Sequence, residues 1–265
     1  MPAPKLPPPS SPTRPPVLLV ERSEDGVVTA TMNRPDVRNA LDAELFEALR
    51  TLFVEVGERP EDRVLVLTGA GGAFSSGGDL TPSEPSGDDT VTVMRRFGQT
   101  SIAQRECPKP IIAAVDGVAA GAGVSLVLGC DLVIAAESAA FSLLFVRHGL
   151  ALDCGASWLL PRRVGPGKAA ELALLGEWVD ADEARRIGLV NKVVATEALG
   201  AAAQAWATRL AGQTALSVTT IKASLRRAHD VDFAAAIEAE AVDQAACSAS
   251  PEFRQMLEAR RAAKG

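Results

Sequence analysis

A glycine-rich stretch between two apolar runs constrains the fold of this chain more than any other segment. It covers Val115–Asp131 and follows the β-like run Pro110–Ala114, so it predicts a strand, a tight turn and an apolar helix that starts near Gly121. Residues 119–123 are all alanine or glycine, which lets a ligand approach the backbone closely. Because the first N–H groups of a helix have no intrahelical acceptor, a polarised or negative oxygen fits at this helix start.

A second strand end has the same character. Gly71–Leu80 follows the apolar run Val64–Thr68 and places small residues where a strand gives way to a loop. Small residues in a single loop usually serve close packing between elements. Two such loops favour a different interpretation, in which two strand ends direct two backbone N–H donors at one oxygen atom.

Four segments resemble, in the same order, the motifs of the crotonase superfamily, also called the enoyl-CoA hydratase/isomerase family. The segments are Asn33–Leu41, Phe74–Leu80, Ala113–Gly123 and Trp158–Gly165, and the resemblance extends from Val17 to the C-terminus. In that family two backbone N–H groups, at positions that match Gly78 and Ala122, hold the oxygen of a coenzyme A (CoA) thioester. The resemblance therefore implies an acyl-CoA substrate and an oxyanion-binding site at these two residues.

The resemblance also implies an α/β fold. In it, a spiral of ββα turns is followed by a helical C-terminal region that packs between subunits, in homotrimers or dimers of trimers. We expect a disordered extension over residues 1–16, which hold eight prolines. A spiral core is expected over residues 17–200 and a helical oligomerisation region over residues 201–265.

The predicted elements are specific enough to be checked one by one. Strands are predicted at 17–21, 27–32, 64–68, 110–114, 131–135, 140–145 and 190–194, the first two as a hairpin. Helices are predicted at 41–56, 90–106, 155–160, 166–175, 181–187, 197–212, 215–227, 233–247 and 251–264, besides the helix near Gly121. The polar stretch Thr81–Asp89 is predicted to be a mobile loop.

Acid–base residues distinguish this chain from the hydratases that it resembles. Those hydratases carry two glutamates, and the matching positions here hold Ser125 and Phe145, which we expect to line the substrate pocket. Asp153 matches the catalytic aspartate of some family isomerases, including dienoyl-CoA isomerases and the ring-opening isomerase of phenylacetate degradation. Asp153 could instead cap the helix predicted from Gly155. We favour catalysis, because a single carboxylate in an apolar pocket has a raised pKa and can move a proton between carbons.

Binding residues are predicted from the motif that begins at Asn33. Arg34 and Arg38 lie in the segment whose family counterparts reach the CoA phosphates, and arginine forks suit phosphate. Ser76, within the first glycine loop, is predicted to contact the substrate as well.

Other polar residues have weaker claims to the site. Glu84 in the polar loop is a reserve candidate for a second base, and Asp79 is expected to brace the donor loop. His148 is more typical of a packed or surface histidine than of a catalyst. Arg260 and Arg261 in the last predicted helix are better explained as a surface charge run than as a CoA contact from a neighbouring subunit.

Composition excludes several other classes of protein. A net charge of −6 argues against the basic surface of a nucleic-acid binder. Only two histidines are present, and no His or Cys cluster has ligand spacing, so we expect no metal and no cofactor apart from the CoA of the substrate. The four cysteines show no paired spacing, and we find no signal peptide and no apolar run long enough to span a membrane. These features predict a cytoplasmic protein with reduced thiols.

The sequence thus predicts an enzyme that acts on an acyl-CoA thioester, most simply by moving a double bond through an enolate with Asp153 as the base. Three alternatives stay open. They are an enoyl-CoA hydratase, a dehalogenase-like or hydrolytic enzyme that uses Asp153 as nucleophile, and a non-catalytic member that binds acyl-CoA or RNA. The acyl group that such an enzyme accepts is set by the shape of its pocket.

Overall fold

A computed structural model describes residues 15–81 and 89–262 of the chain. The strands are β1 (Leu18–Arg22), β2 (Val27–Met32), β3 (Val64–Gly69), β4 (Ile111–Val115), β5 (Val118–Ala120), β6 (Leu132–Ala136), β7 (Ala140–Ser142), β8 (Val179–Asp180) and β9 (Lys192–Val194). The helices are α1 (Ala43–Glu58), α2 (Thr90–Glu106), α3 (Ala122–Gly129), α4 (Ala156–Val164), α5 (Pro166–Leu175), α6 (Ala181–Arg186), α7 (Leu199–Ala211), α8 (Ala215–Arg227), α9 (Phe233–Ala249) and α10 (Pro251–Ala262).

Two sheets organise the first two hundred residues. The larger has the order β1-β2-β3-β4-β6-β9 and is parallel except for the β1–β2 hairpin. The smaller has the order β5-β7-β8. Every residue of β4 is buried, as expected for a parallel strand covered on both faces. Strand β5 follows β4 after only two residues, so the chain passes directly from the large sheet to the small one at this point.

Helices cover both faces of the large sheet. Helix α1 buries six apolar residues at helical spacing against one face, and Asp42 caps its N-terminus by accepting from the Leu45 N–H. Helix α7 covers the other face through four buried residues, Leu199, Ala203, Ala207 and Ala211. The spacing of four along α7 leaves a narrow stripe of mostly alanine, which allows the helix to lie close to the strands.

Most predicted elements are present, and the hairpin is confirmed with Leu18 opposite Met32. One strand prediction was wrong in part. Strand β7 ends at Ser142, and the apolar run that follows forms a 3₁₀ helix, Leu144–His148, which contains Phe145. A short apolar run fits a strand and a buried helix equally well, so periodicity could not separate them. Strands β5 and β8, of three and two residues, were not predicted.

The C-terminal helices are attached to the core at few points. Helix α8 is held by Lys222, whose ammonium lies 2.6 Å from the Asp131 carboxylate at the start of β6. Helix α9 contains no fully buried residue and exposes Phe233 (83%) and Val242 (64%). The predicted Pro-rich extension lies outside the described residues as far as residue 14, as does the polar loop over residues 82–88. None of the helices in the described ranges is long and apolar enough to cross a membrane.

Candidate active site

The first glycine loop carries the first predicted donor, the Gly78 N–H. Gly77 has a φ of 96°, which favours glycine, and its carbonyl oxygen accepts from the Leu41 N–H at 2.8 Å. The Gly78 N–H donates to no residue that the structure describes. A methyl group placed at Gly78 would have no heavy atom within 4 Å, so the space beside this residue is open.

The second glycine loop presents a matching donor at the start of α3. Gly121 has φ 49° and ψ −122°, a combination that is essentially restricted to glycine, and it precedes the helix directly. Within the described part of the chain, no acceptor receives the Ala122 N–H. The sequence predicted a helix near Gly121, and the observed α3 begins at Ala122.

The two loops lie side by side. Ser75 and Ala119 form an isolated parallel bridge, in which the Ala120 N–H donates to the Ser75 carbonyl at 2.9 Å. A methyl group placed at Gly77 would lie 3.5 Å from the Ala122 nitrogen. The structure therefore brings together the two predicted donor segments, which are more than forty residues apart in the chain.

Asp153 is not a helix cap. Helix α4 starts after Gly155, whose φ is 83°, and no side chain caps it. The backbone carbonyl of Asp153 accepts from the Ala156 N–H, whereas its Oδ1 is buried and has no hydrogen-bond partner among the described residues. The capping role that the sequence left open is thus excluded by the geometry.

The surroundings of Asp153 favour its protonated form. Burial raises the pKa of the Asp153 carboxyl above its ordinary value of 3.8, and the neighbouring Cys154 thiol opposes this by donating to the carboxylate. Burial and the nearby Asp153 charge in turn raise the pKa of the Cys154 thiol to about 12, so it stays protonated. The Ser125 hydroxyl donates to the Asp153 carbonyl oxygen at 3.3 Å. Ser125 and Asp153 are therefore neighbours, as the predicted site requires.

Phe145 and His148 lie on the 3₁₀ helix beside the second loop. The Phe145 ring is buried and approaches to 3.9 Å from a methyl group placed at Gly121, so it forms an apolar wall next to the Ala122 donor. His148 is exposed, and its Nδ1 lies 3.1 Å from the Leu144 carbonyl of the same helix. This placement agrees with a surface role for His148.

The predicted binding residues occupy different environments. Arg34 is only 12% exposed, and its guanidinium lies 3.0 Å from Asp79 and 3.1 Å from Asp42. Asp79 braces the loop as expected, since it also accepts from the Thr81 N–H. Hydrogen bonds from the Thr81 side chain and backbone, and then the Arg34 guanidinium, hold the pKa of the Asp79 carboxyl below its ordinary value. Arg38 is exposed and has a left-handed backbone, with φ 51°.

The remaining candidates lie at the surface or outside the described residues. Ser76 is exposed, and its hydroxyl donates to the Val37 carbonyl at 3.0 Å. Arg260 and Arg261 are exposed at the end of α10. Glu84 lies in the part of the chain that the structure does not describe. No three His, Cys, Asp or Glu side chains in the described ranges are grouped so as to hold a metal ion.

A cavity of about 810 Å³ adjoins the Asp153 loop. Ser101 and Gly155 line it, and Gly155 follows Asp153 by two residues in the chain. Its far wall contains Trp158, with the guanidinium of Arg162 3.7 Å from the ring centroid. None of Gly78, Ala122 and Asp153 lines this cavity, so it is a neighbour of the catalytic candidates and does not contain them.

The motif at Asn33 contributes a residue that the sequence did not single out. Asn39 is fully buried, and its Nδ2 donates to the carbonyls of Ala70 and Ala73 at 2.9 and 2.8 Å. Its Oδ1 accepts from the Arg34 N–H. A left-handed φ of 55° at Asn39 is a conformation that asparagine tolerates better than most residues. An Asn following an Arg-Pro turn could have suggested such a brace, but its partners are far away in sequence.

Comparison with known proteins identifies the family. The profile described as "Enoyl-CoA hydratase/isomerase" matches residues 22–262. The chain belongs to the enoyl-CoA hydratase/isomerase family. It is 37% identical to 1,2-epoxyphenylacetyl-CoA isomerase of Escherichia coli (strain K12), over 91% of this chain and 94% of that protein. It is also 37% identical to (E)-benzylidenesuccinyl-CoA hydratase of Thauera aromatica, over 74% and 77% of the two chains.

Solved structures of the family share the fold. The crystal structure of an enoyl-CoA hydratase from Bacillus anthracis superposes with a TM-score of 0.87 at 30% identity, and covers 92% of this chain and 96% of that one. The prediction of a crotonase-like α/β spiral with a C-terminal helical region is therefore confirmed. The protein is an enzyme of the crotonase superfamily, whose relatives act on CoA thioesters.

Proposed function

We propose that this enzyme isomerises an acyl-CoA, with the thioester oxygen held by the Gly78 and Ala122 amides and with Asp153 as the base. The observation that carries the proposal is the buried Oδ1 of Asp153, which has no partner among the described residues, in a residue bonded to Ser125 of α3, the helix that begins at the Ala122 donor. In a folded protein, buried polar groups are normally satisfied, so a buried carboxylate oxygen without a partner indicates a ligand.

The proposed reaction needs only one proton carrier. Two fixed N–H donors stabilise negative charge on the thioester oxygen, which makes the adjacent carbon acidic. The Asp153 carboxylate removes a proton from one carbon, the electron pair moves into the enolate, and the resulting carboxylic acid returns the proton to another carbon. A raised pKa suits both steps, because it makes the carboxylate a stronger base and still lets the acid give the proton back.

The same residues disfavour water addition as the main reaction. Neither Ser125 nor Phe145 has a carboxylate that could activate water. The Ser125 hydroxyl donates to the Asp153 carbonyl, and the buried Phe145 ring forms an apolar wall. A relative is named as a hydratase, and we therefore treat hydration as the outcome that would replace this proposal. Turnover of crotonyl-CoA at a rate on the order of hundreds per second, well within the range of ordinary enzymes, would require that replacement.

CoA recognition is proposed to rest on Arg38 more than on Arg34. Arg38 is exposed, whereas the Arg34 guanidinium is engaged by two carboxylates and would have to leave them to bind a phosphate. We assign Arg34 to bracing the first loop through Asp79, and Ser76 to the rim of the same site. We also propose that the protein is cytoplasmic and that it has no nucleic-acid, membrane or metal partner.

The test is the substitution Asp153→Asn. It keeps the size of the side chain and removes the base, so isomerisation and deuterium exchange at the α- or γ-carbon should fall by about 10²-fold or more. Acyl-CoA affinity should hardly change. The matched control is Asp180→Asn, at a true cap whose carboxylate accepts from the Glu183 N–H at 2.8 Å, because asparagine caps about as well as aspartate.

Exchange at the wild-type rate in Asp153→Asn would contradict the assignment of the base. Loss of acyl-CoA binding together with activity would instead indicate a structural role. If Asp153 acts as a nucleophile, mass spectrometry of the wild type during turnover should show an acyl or alkyl adduct at this residue, and the isomerase mechanism predicts none.

A further inference from the structure

Ser75 lies at the junction of the two glycine loops and is fully buried. Its backbone is bonded to β5, the strand before the second loop. The Ser75 N–H donates to the Val118 carbonyl at 3.0 Å, and the Ser75 carbonyl accepts from the Ala120 N–H at 2.9 Å. These two bonds fix the position of β5, which leads directly into Gly121 and the Ala122 donor.

The Ser75 side chain belongs to the first loop. Its hydroxyl donates to the Asn39 carbonyl at 2.8 Å and accepts from the Gly77 N–H at 3.2 Å. The hydroxyl therefore donates one hydrogen bond and accepts another. The bond that it accepts holds the Ser76–Gly77 peptide, which comes directly before the peptide that carries the Gly78 N–H.

The donor peptide itself is then fixed from its carbonyl end. The Gly77 carbonyl and the Gly78 N–H are parts of one planar peptide unit and point in opposite directions. Because the Gly77 carbonyl accepts from the Leu41 N–H at 2.8 Å, the direction of the Gly78 N–H is set by how the Gly77 backbone is held. The Ser75 hydroxyl restrains Gly77 from its N–H side, and Gly77 has a glycine-like φ of 96° and no side chain of its own.

Packing leaves Ser75 little freedom to move. A methyl group placed at Gly123, in the first turn of α3, would lie 2.8 Å from the Ser75 carbonyl oxygen and 3.1 Å from its Oγ. Close contact between Ser75 and the start of α3 is thus possible only because residue 123 is glycine. One side chain thereby contacts the segments that carry both donors.

We propose that Ser75 is a positioning residue that sets the separation and direction of the Gly78 and Ala122 amides. The inference rests on the proposed function, since it assumes that these amides bind the thioester oxygen. Without the hydroxyl, the Gly77 N–H loses its acceptor while the Gly77 carbonyl and β5 keep their backbone bonds, so the two donors are held less firmly on one point. Transition-state stabilisation depends on that convergence, whereas binding of the CoA portion does not.

The experiment compares Ser75→Ala with the wild type in two measurements. The first is the infrared stretching frequency of a ¹³C-labelled thioester carbonyl in a bound acyl-CoA, which falls when the oxygen accepts strong hydrogen bonds. The second is the separate determination of kcat and KM. Ser75→Ala should move the carbonyl band towards its position in free substrate and lower kcat by about 10- to 10²-fold, with KM changed by less than about threefold.

Two further variants make the result specific. Ser75→Cys retains a weak donor and acceptor and should give a band and a kcat between those of the wild type and Ser75→Ala. Thr100→Val is the control, because it also removes a buried hydroxyl, which donates to the Phe46 carbonyl at 3.0 Å between α2 and α1. It should leave the carbonyl band unchanged.

The outcomes separate this inference from the proposed function. A wild-type band at the frequency of free substrate would mean that the amides do not bind the oxygen, and the proposed function would fail. A shifted wild-type band that is equally shifted in Ser75→Ala would overturn the role of Ser75 alone. If Ser75→Ala does not fold, Ser75→Cys is judged by the same band, and an unchanged band there would also overturn the inference.

Discussion

Four helices in the described part of the chain begin at an aspartate that accepts a backbone N–H from the first turn. These aspartates are Asp42, Asp89, Asp180 and Asp232. Asp153 stands two residues before the cap position of α4 and makes no such bond. At the scale of single residues, the difference between a cap and a candidate base is therefore whether the carboxylate meets the free N–H groups of a helix or an apolar, buried space.

The pKa of Asp153 gives a prediction for the pH dependence of the reaction. Because burial raises this pKa above 3.8, the rate of α-proton exchange should rise with pH through a midpoint above that value, as the carboxylate form becomes populated.

The stability of the protein should change with pH in the opposite direction. The raised folded-state pKa means that stability is highest below the ordinary pKa and falls as pH rises through the folded-state pKa. Denaturant unfolding at several pH values checks this, and Asp153→Asn should remove the fall; a fall of the same size in that variant would assign it to other groups.

Two glycines in the proposed oxyanion site should respond differently to alanine. At Gly78 a methyl group meets open space and no positive φ is imposed, so Gly78→Ala should fold with nearly unchanged stability. At Gly121 a methyl group has ordinary contacts, but the backbone at φ 49° and ψ −122° disfavours any side chain. Gly121→Ala should therefore lower the free energy of unfolding by about 1–3 kcal/mol. Chemical denaturation of the two variants measures both effects, and equal stabilities would show that the Gly121 conformation is not restricted to glycine.

At the scale of elements, helix α8 is fixed to the core by one buried ion pair. The Lys222 side chain is 7% exposed and donates to the Lys109 carbonyl at 2.7 Å as well as to Asp131. Asp131 also accepts from the Ile111 N–H at 2.8 Å. The pair thus links α8 to the starts of β4 and β6.

Removing this ammonium group should be costly. Lys222→Met leaves the Asp131 carboxylate partly buried without its cation, and because Asp131 remains 29% exposed, we expect a loss of about 2 kcal/mol in the free energy of unfolding. Lys168→Met is the control, since Lys168 pairs with Glu171 and Glu183 at the surface. Its effect should be below about 1 kcal/mol. Equal losses in the two variants would mean that α8 is held mainly by other contacts.

At the scale of the whole molecule, helix α9 exposes several large apolar side chains. Phe233, Ile237 and Val242 on α9 are 83%, 50% and 64% exposed. Large exposed apolar patches indicate contact surfaces. We propose that this region packs between subunits of a homotrimer, or of a dimer of trimers, as the sequence resemblance implied.

Sedimentation equilibrium tests the proposed assembly. The wild type should have a mass of three or six times the chain mass of 27.6 kDa. Phe233→Asp places a charge within the proposed interface and should shift the mass towards that of a single chain. Val54→Asp, on the 40% exposed position of α1, should not. A wild-type mass of 27.6 kDa would contradict the proposed assembly.

The sequence by itself determined most of the elements. Apolar periodicity and turn residues are local signals, so helices such as α2, α5 and α8 were predicted with the bounds that the structure shows. The two glycine loops were recognised because small residues at strand ends let a ligand approach the backbone closely. The resemblance of four short motifs then identified the family.

Only the tertiary structure decided how those pieces meet. In the structure Asp153 does not cap α4, and Arg34 pairs with Asp42 and Asp79. Phe145 lies on a 3₁₀ helix instead of the predicted strand. Ser75 acquired partners in three segments, none of which its local sequence indicates. Local patterns indicate which conformations a segment favours. The partners of a buried polar group depend instead on packing between segments that are distant along the chain, and these segments meet only in the folded state.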